Sequence, residues 1–132
     1  SRSYQRIKIE LQEGIKIEET NYNNFFTVIS GVDKKRNDKV YIIYIKSIEK
    51  PYRVYAKDGV SKEHITNQMI EKKQNVDLIY LSLDSSVVFT NTEIDIIDFL
   101  VWKAYIDVDN TIYATYDFKT GKFIEIIDEN EI

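Results

Sequence analysis

The sequence predicts a single α+β domain, with a mixed, mostly antiparallel sheet built from hairpins and two helices. Three features predict this class: apolar residues that alternate with polar ones on both sides of turns, an uninterrupted apolar run at 41–45, and two stretches with helical spacing. A chain of 132 residues suits one hydrophobic core. We therefore place one domain at 1–127 and an acidic tail at 128–132.

Hairpins dominate the first half of the chain. Apolar and charged residues alternate on both sides of a turn at Gly14, which predicts a β-hairpin over 7–17. A second pair of strands is predicted at 25–32 and 39–48, joined by a wholly polar loop. The middle of the latter strand does not alternate, so we expect both of its faces to be covered and the strand to be central. A short strand at 52–56 follows the only proline.

A helix capped by Ser61 is predicted to run to about Gln74, with Ile65 and Met69, and Ile70 as a further candidate, forming its thin apolar stripe. The next strand, at 76–83, would complete a right-handed crossover to a parallel neighbour.

The last third of the chain predicts a strand, a helix and a hairpin. The strand is short, at 87–90, and Thr92 is placed to cap a second helix over 93–106. Strands at 111–118 and 123–127 flank a Lys-Thr-Gly-Lys turn. The sequence shows no internal repeat.

Composition excludes several classes of function. The absence of cysteine removes disulfides, thiolate nucleophiles and nearly every structural zinc site, and we expect no cofactor. A net charge of −4 argues against an extended nucleic-acid groove, so nucleic acid is an unlikely partner. No apolar run approaches the roughly 20 residues of a membrane span, and the start of the sequence lacks the apolar stretch of a signal peptide. We expect a soluble, cytoplasmic protein.

Heavy use of Ile, Lys, Asn and Tyr is a bias associated with AT-rich genomes, many of them viral or mobile. The composition therefore favours a virus or mobile element as the source, and the host cell as the place of action if the source is viral.

The acidic segment 107–111 resembles the first motif of the haloacid dehalogenase superfamily. The resemblance would make Asp107 the phosphate-accepting nucleophile and Asp109 the general acid. That family needs a downstream lysine, a further acidic pair and a magnesium site, whereas only 21 residues follow Thr111 and they predict a hairpin. An acidic turn leading into a hairpin is the favoured interpretation.

The stretch from Asp33 to Lys46, followed by a helix and a strand, is similar to the core of the PD-(D/E)XK nucleases. The resemblance implies Asp33 as a magnesium ligand and Lys46 as the lysine that stabilises charge at the scissile phosphate. The second acidic ligand of that family is Tyr44 here, and a neutral phenol cannot replace a hard anionic ligand. A degenerate or divergent nuclease-like protein is therefore an alternative.

The predicted second helix carries apolar residues on two sides. One broad face would dock on the sheet, and Phe99, Trp102 and Ile106 would fall together on the other, beside Asp95 and Asp98. Either another part of the same fold covers this second face, or the five residues form an aromatic anchor with an acidic rim that binds a partner.

These observations favour a non-enzymatic protein that binds another macromolecule, as an inhibitor, an adaptor or a subunit of a homo-oligomer. The nuclease-like protein is one alternative. A module that binds a small molecule or a nucleotide is another, because ten tyrosines offer stacking surfaces.

Overall fold

A computed structural model describes residues 2–76, 78–84 and 94–131. The chain divides into two compact units, Ser1–Asp58 (unit 1) and Gly59–Ile132 (unit 2). Within the described residues, each unit has one α-helix followed by four strands that form an antiparallel sheet in sequential order. The α+β class, the number of helices and the hairpin-built pairing are therefore confirmed, but only one of the two helices, the one in unit 2, lies where a helix is predicted. The sequence shows no repeat, yet both units share the same order of elements.

Unit 1 consists of one helix and four strands: α1 (Arg2–Glu13), β1 (Ile15–Tyr22), β2 (Phe26–Asp33), β3 (Lys39–Ile45) and β4 (Tyr52–Tyr55). A short 3₁₀ turn, Ala56–Asp58, follows β4. The strand order of this sheet, which we call sheet 1, is β1-β2-β3-β4, so the predicted central position of β3 is confirmed, and its side chains are buried on both faces.

The hairpin predicted over 7–17 is wrong in its first half, which belongs to α1. The alternation of apolar residues at 7, 9 and 11 is real, but Ile7 and Leu11 are also four residues apart, as on one side of a helix. Gly14, with a φ of +64°, ends the helix in the left-handed conformation that glycine adopts most easily. The turn is therefore confirmed, and it joins a helix to β1.

One cluster of buried apolar side chains in unit 1 lies on the side of the sheet that α1 covers. Five side chains form it, and Ile9 of α1 packs against them together with Tyr44 and Tyr55: Ile15, Ile17, Ile29, Val40 and Ile42. At Gly31 the backbone of β1 comes so close that a Cβ atom would lie 2.4 Å from the carbonyl oxygen of Lys16. That position requires glycine.

Unit 2 repeats the plan with α2 (Lys62–Glu71), β5 (Leu78–Leu83), β6 (Leu100–Tyr105), β7 (Ile112–Asp117) and β8 (Phe123–Asp128). Short 3₁₀ turns precede β6 and follow β8, at Ile96–Phe99 and Glu129–Glu131. The hairpin of β7 and β8 is confirmed. Part of the predicted acidic tail thus has regular structure, and the boundary of a single domain at 127 stays a prediction.

The cap of α2 and the first two residues of its apolar stripe are confirmed. The Ser61 hydroxyl accepts a hydrogen bond from the His64 backbone N–H at 3.1 Å, Ile65 and Met69 are fully buried, and Ile70 is instead 62% exposed. The helix ends at Glu71, three residues earlier than predicted. Its Gln68 side chain donates to the backbone carbonyl of Gly121 at 2.7 Å, which fastens α2 to the turn between β7 and β8.

Two predictions for this half of the chain are wrong. The helix predicted over 93–106 is the strand β6 from residue 100 onward, with a 3₁₀ turn before it. The expected parallel crossover is also absent from the described residues, where all six strand pairings are antiparallel. The strand predicted at 87–90 and the cap at Thr92 lie outside the described residues.

Candidate functional site

The five residues predicted as a partner-binding anchor do not form one surface of a helix. Trp102 points into unit 2, where it is 3% exposed and its indole N–H donates to the carbonyl oxygen of Val60 at 2.9 Å. Phe99 and Ile106 are half-buried at opposite ends of β6, about 20 Å apart along an extended strand. The partner-binding role of these five residues stays a prediction. The helix on which that prediction was based is wrong.

The two acidic members of that set are exposed: Asp95 directly precedes the 3₁₀ turn, and Asp98 lies within it. Asp98 forms an ion pair with Lys119, and this hydrogen-bonded contact, with Asp95 nearby, raises the pKa of the lysine. Because the pair lies on the surface, it contributes little to stability.

The two residues that match the nuclease pattern lie at opposite ends of sheet 1. Asp33 ends β2 next to the β2–β3 turn, whereas the backbone N–H of Lys46 donates to Phe25, before the other end of β2. The length of β2 separates them by roughly 23 Å. Within the described ranges, no three His, Asp or Glu side chains are grouped closely enough to hold a metal ion.

Asp33 instead stabilises the β2–β3 turn. Its buried carboxylate accepts hydrogen bonds from the backbone N–H groups of Lys35 and Arg36, at 2.9 and 3.0 Å. It also accepts from the Tyr55 hydroxyl at 2.8 Å and from Arg53 at 3.2 Å. The Arg36 amide and the Tyr55 hydroxyl, against the opposing effect of burial, hold the pKa of Asp33 well below its usual value. All of these contacts fit a structural role.

Asp107 also stabilises a turn, the one between β6 and β7. Its carboxylate accepts from the backbone N–H groups of Thr111 and Ile112 and from the Thr111 hydroxyl, at 2.7 to 3.1 Å. Burial acts to raise its pKa, but these hydrogen bonds lower it. A carboxylate occupied by its own turn fits the favoured interpretation of 107–111 as an acidic turn before a hairpin.

A cluster of aromatic rings surrounds Lys103 in unit 2. Its ammonium group lies 4.0 Å from the ring centre of Tyr113 and within 6 Å of the rings of Tyr80 and Tyr105. Tyr80 donates a hydrogen bond to the Tyr105 hydroxyl, which donates to Glu129. Burial, with these two neighbours, raises the pKa of Tyr105 far above its usual value. The space between these aromatic rings is thus occupied by the side chain of Lys103.

Polar side chains attach the helix α1 to sheet 1, in addition to the packing of Ile9 on the buried cluster. Arg6 donates to the carbonyl oxygen of Ile17 at 2.8 Å, and Glu10 accepts from the backbone N–H of the same residue at 2.8 Å. Glu13 accepts from Arg53, through both its carboxylate and its carbonyl oxygen. Since β1 is an edge strand with a bulge after Ile17, Arg6 and Glu10 satisfy the backbone groups of Ile17 on the side that has no strand beside it.

The opposite side of α1 exposes three large apolar side chains. Tyr4 is 67% exposed, Ile7 56% and Leu11 75%. Spacings of three and four residues place them on one side of the helix, turned away from the sheet. We call this surface the α1 outer face. Sequence reasoning missed it because residues 7–11 were predicted as a strand; the spacing of Tyr4, Ile7 and Leu11 was the available signal.

A cleft of about 430 Å³ lies between α1 and the β1 end of sheet 1. Three isoleucines line it, together with polar side chains from α1, β1, β2 and β3. Its volume falls within the range of small-molecule sites.

The fold and these surfaces define an α+β protein made of two α-β-β-β-β units. No protein-family model matches the chain, and no curated protein matches it. Among solved structures, the chain is similar to the YpmB protein from Bacillus subtilis, with 18% identity, a TM-score of 0.64 and 97% of each chain covered. At this level of identity the likeness concerns the fold. No helix within the described residues is long and apolar enough to cross a membrane.

Proposed function

We propose that this protein is a non-enzymatic binding protein that holds another macromolecule on the α1 outer face. The observation that carries the proposal is the orientation of α1: Ile9 and polar side chains dock it on the sheet, and its other three large apolar side chains, Tyr4, Ile7 and Leu11, face outward. A helix in a globular protein normally buries its apolar stripe. An exposed stripe of this kind is typical of an interaction site.

The size of the surface favours a small segment of a partner over a second copy of this chain. The exposed parts of Tyr4, Ile7 and Leu11 offer on the order of 300 Å² of apolar area. A stable dimer buries about 800 Å² on each partner. A single amphipathic helix that lies along α1 matches the smaller area, because its own apolar residues recur at the same spacing.

The charges around α1 favour an acidic partner. Glu10 and Glu13 are half-buried and engaged with the sheet, whereas Lys8 is exposed and makes no ion pair within the described residues. Unit 1 has twelve Lys and Arg against eight Asp and Glu, a net charge of +4, while unit 2 has six against fourteen, a net charge of −8. An acidic amphipathic helix would therefore be attracted to unit 1.

Binding of a designed peptide tests the proposal. A fluorescent helical peptide with leucines at helical spacing and glutamates elsewhere is titrated with the protein, and fluorescence anisotropy is measured. We expect saturable binding that weakens with salt and that falls at least tenfold for Leu11→Asp. The exposed α1 residue Gln12 provides the control, because Gln12→Asp adds the same charge outside the apolar stripe.

Three results would overturn the proposal. One is equal binding of a scrambled peptide of the same composition. Another is tighter binding of the matched peptide with lysines in place of glutamates. The third is a stable dimer, seen by light scattering, that Leu11→Asp dissociates, since the α1 outer face would then serve a second copy. The cytoplasmic location and the viral or mobile-element origin stay predictions.

A further inference from the structure

The cleft beneath α1 combines an apolar floor with unpaired negative charge. Ile9 of α1 and Ile17 and Ile29 of the sheet, which pack in one apolar cluster, line it. Glu18 and Glu19 lie on its β1 side, and their carboxylates make no hydrogen bond or ion pair with the described residues. An apolar cavity edged by polar groups is the usual form of a small-molecule site.

Arg6 is the only cationic side chain among the described residues that line this cleft. Its guanidinium group is fixed by the hydrogen bond to the carbonyl oxygen of Ile17. Two carboxylates against one guanidinium leave the cleft with a net negative charge, which attracts a cation more than an anion.

Two tyrosines complete the cleft. Tyr44 is half-buried in the strand β3, burial raises its pKa, and its hydroxyl makes no hydrogen bond with the described residues. Tyr22 stands at the open end of the cleft and is 69% exposed. Their rings can contact the apolar part of a ligand, and an aromatic face also attracts a cation.

We infer that this cleft binds a small amphipathic amine, an apolar group of about ten non-hydrogen atoms that carries one ammonium. The apolar group packs on the three isoleucines, and the ammonium contacts Glu18 and Glu19. This site is separate from the α1 outer face and does not depend on the proposed function.

Three matched probes test the inference: 3-phenylpropylamine, 3-phenylpropionate and 3-phenylpropanol, which differ only in the charged or neutral end. Binding is followed through the methyl NMR signals of isoleucine-labelled protein, because Ile9, Ile17 and Ile29 line the cleft. We expect the amine to shift these signals with millimolar affinity, as suits so small a ligand, and to bind about tenfold more tightly than the carboxylate. The double variant Glu18→Gln with Glu19→Gln should lose about tenfold in affinity for the amine.

Glu49→Gln provides the control, since Glu49 is exposed in the loop between β3 and β4 and does not line the cleft. It should bind the amine as the wild type does. Equal binding of amine and carboxylate to the wild type would overturn the inference, and so would methyl signals that stay unchanged with all three probes. Neither comparison depends on whether the double variant folds.

Discussion

Replacement of Trp102 by alanine is expected to destabilise unit 2 strongly, because the side chain belongs to the core. Trp102 is 3% exposed, and its ring lies 6.2 Å from that of Phe118, which is fully buried. Burial of about 200 Å² of indole at about 25 cal/mol per Å² gives an upper limit near 5 kcal/mol. Measured replacements of this kind lower the free energy of unfolding by about 3–5 kcal/mol.

The hydrogen bond to Val60 can be separated from the packing. Trp102→Phe keeps an aromatic ring but removes the N–H that donates to the Val60 carbonyl oxygen. We expect this variant to lose only about 1–2 kcal/mol of stability, the effect of one lost hydrogen bond and a small change in volume.

Urea unfolding followed by far-UV circular dichroism measures both variants, since the only tryptophan is itself replaced. A loss near 4 kcal/mol lowers the urea midpoint by about 2 M. If Trp102→Ala unfolded at the wild-type midpoint and instead lost binding to a partner, Trp102 would be an exposed anchor and its placement in the core would be refuted.

Three further predictions concern stability. Gly31→Ala should lower the free energy of unfolding by about 1–3 kcal/mol, because the added Cβ would overlap the backbone of β1. Gly14→Ala should lower it by about 1 kcal/mol, because the space around Gly14 is open and only backbone strain opposes the change. Equal losses for the two variants in urea unfolding would contradict this. Since the pKa of Asp33 is depressed by folding, the stability that it contributes is present above its unfolded pKa near 3.8 and is lost as the pH falls below it. In the Asp33→Asn variant, the free energy of unfolding should therefore fall less steeply than in the wild type as the pH drops below about 4. An equally steep fall in both proteins would contradict a lowered pKa for Asp33. Lys103→Met should lower stability by about 1 kcal/mol through the loss of its cation–π contacts and of its ion pair with Glu129, and a variant as stable as the wild type would show that neither contact contributes.

The strands bounded by clear turns could be predicted from the sequence. The pairs β2–β3 and β7–β8 have polar or glycine-containing turns between apolar runs, and local chemistry of this kind determines a hairpin. The cap at Ser61 was equally local, because a serine before a helix needs only the N–H groups of the next turn.

The structure of segments with dense or ambiguous apolar patterns could not be predicted from the sequence. Strand β6 is apolar at every position except Lys103, and such a run fits helical spacing and extended structure equally well. The segment forms a strand because both of its faces are buried, and this burial depends on pairing with the neighbouring strands β5 and β7. In α1 the alternation of three apolar residues hid the spacing of Tyr4, Ile7 and Leu11. Both candidate surfaces of unit 1 depend on that helix, so the sequence did not indicate them.

The position at which an acidic amphipathic helix binds is the most direct test of the proposal that the α1 outer face holds a partner. The measurement is a chemical-shift map of isotopically labelled protein titrated with the leucine–glutamate peptide. We expect the signals of Tyr4, Ile7 and Leu11 to shift first and most. Shifts confined to Phe99 and Ile106, or no shifts at saturating peptide, would contradict it.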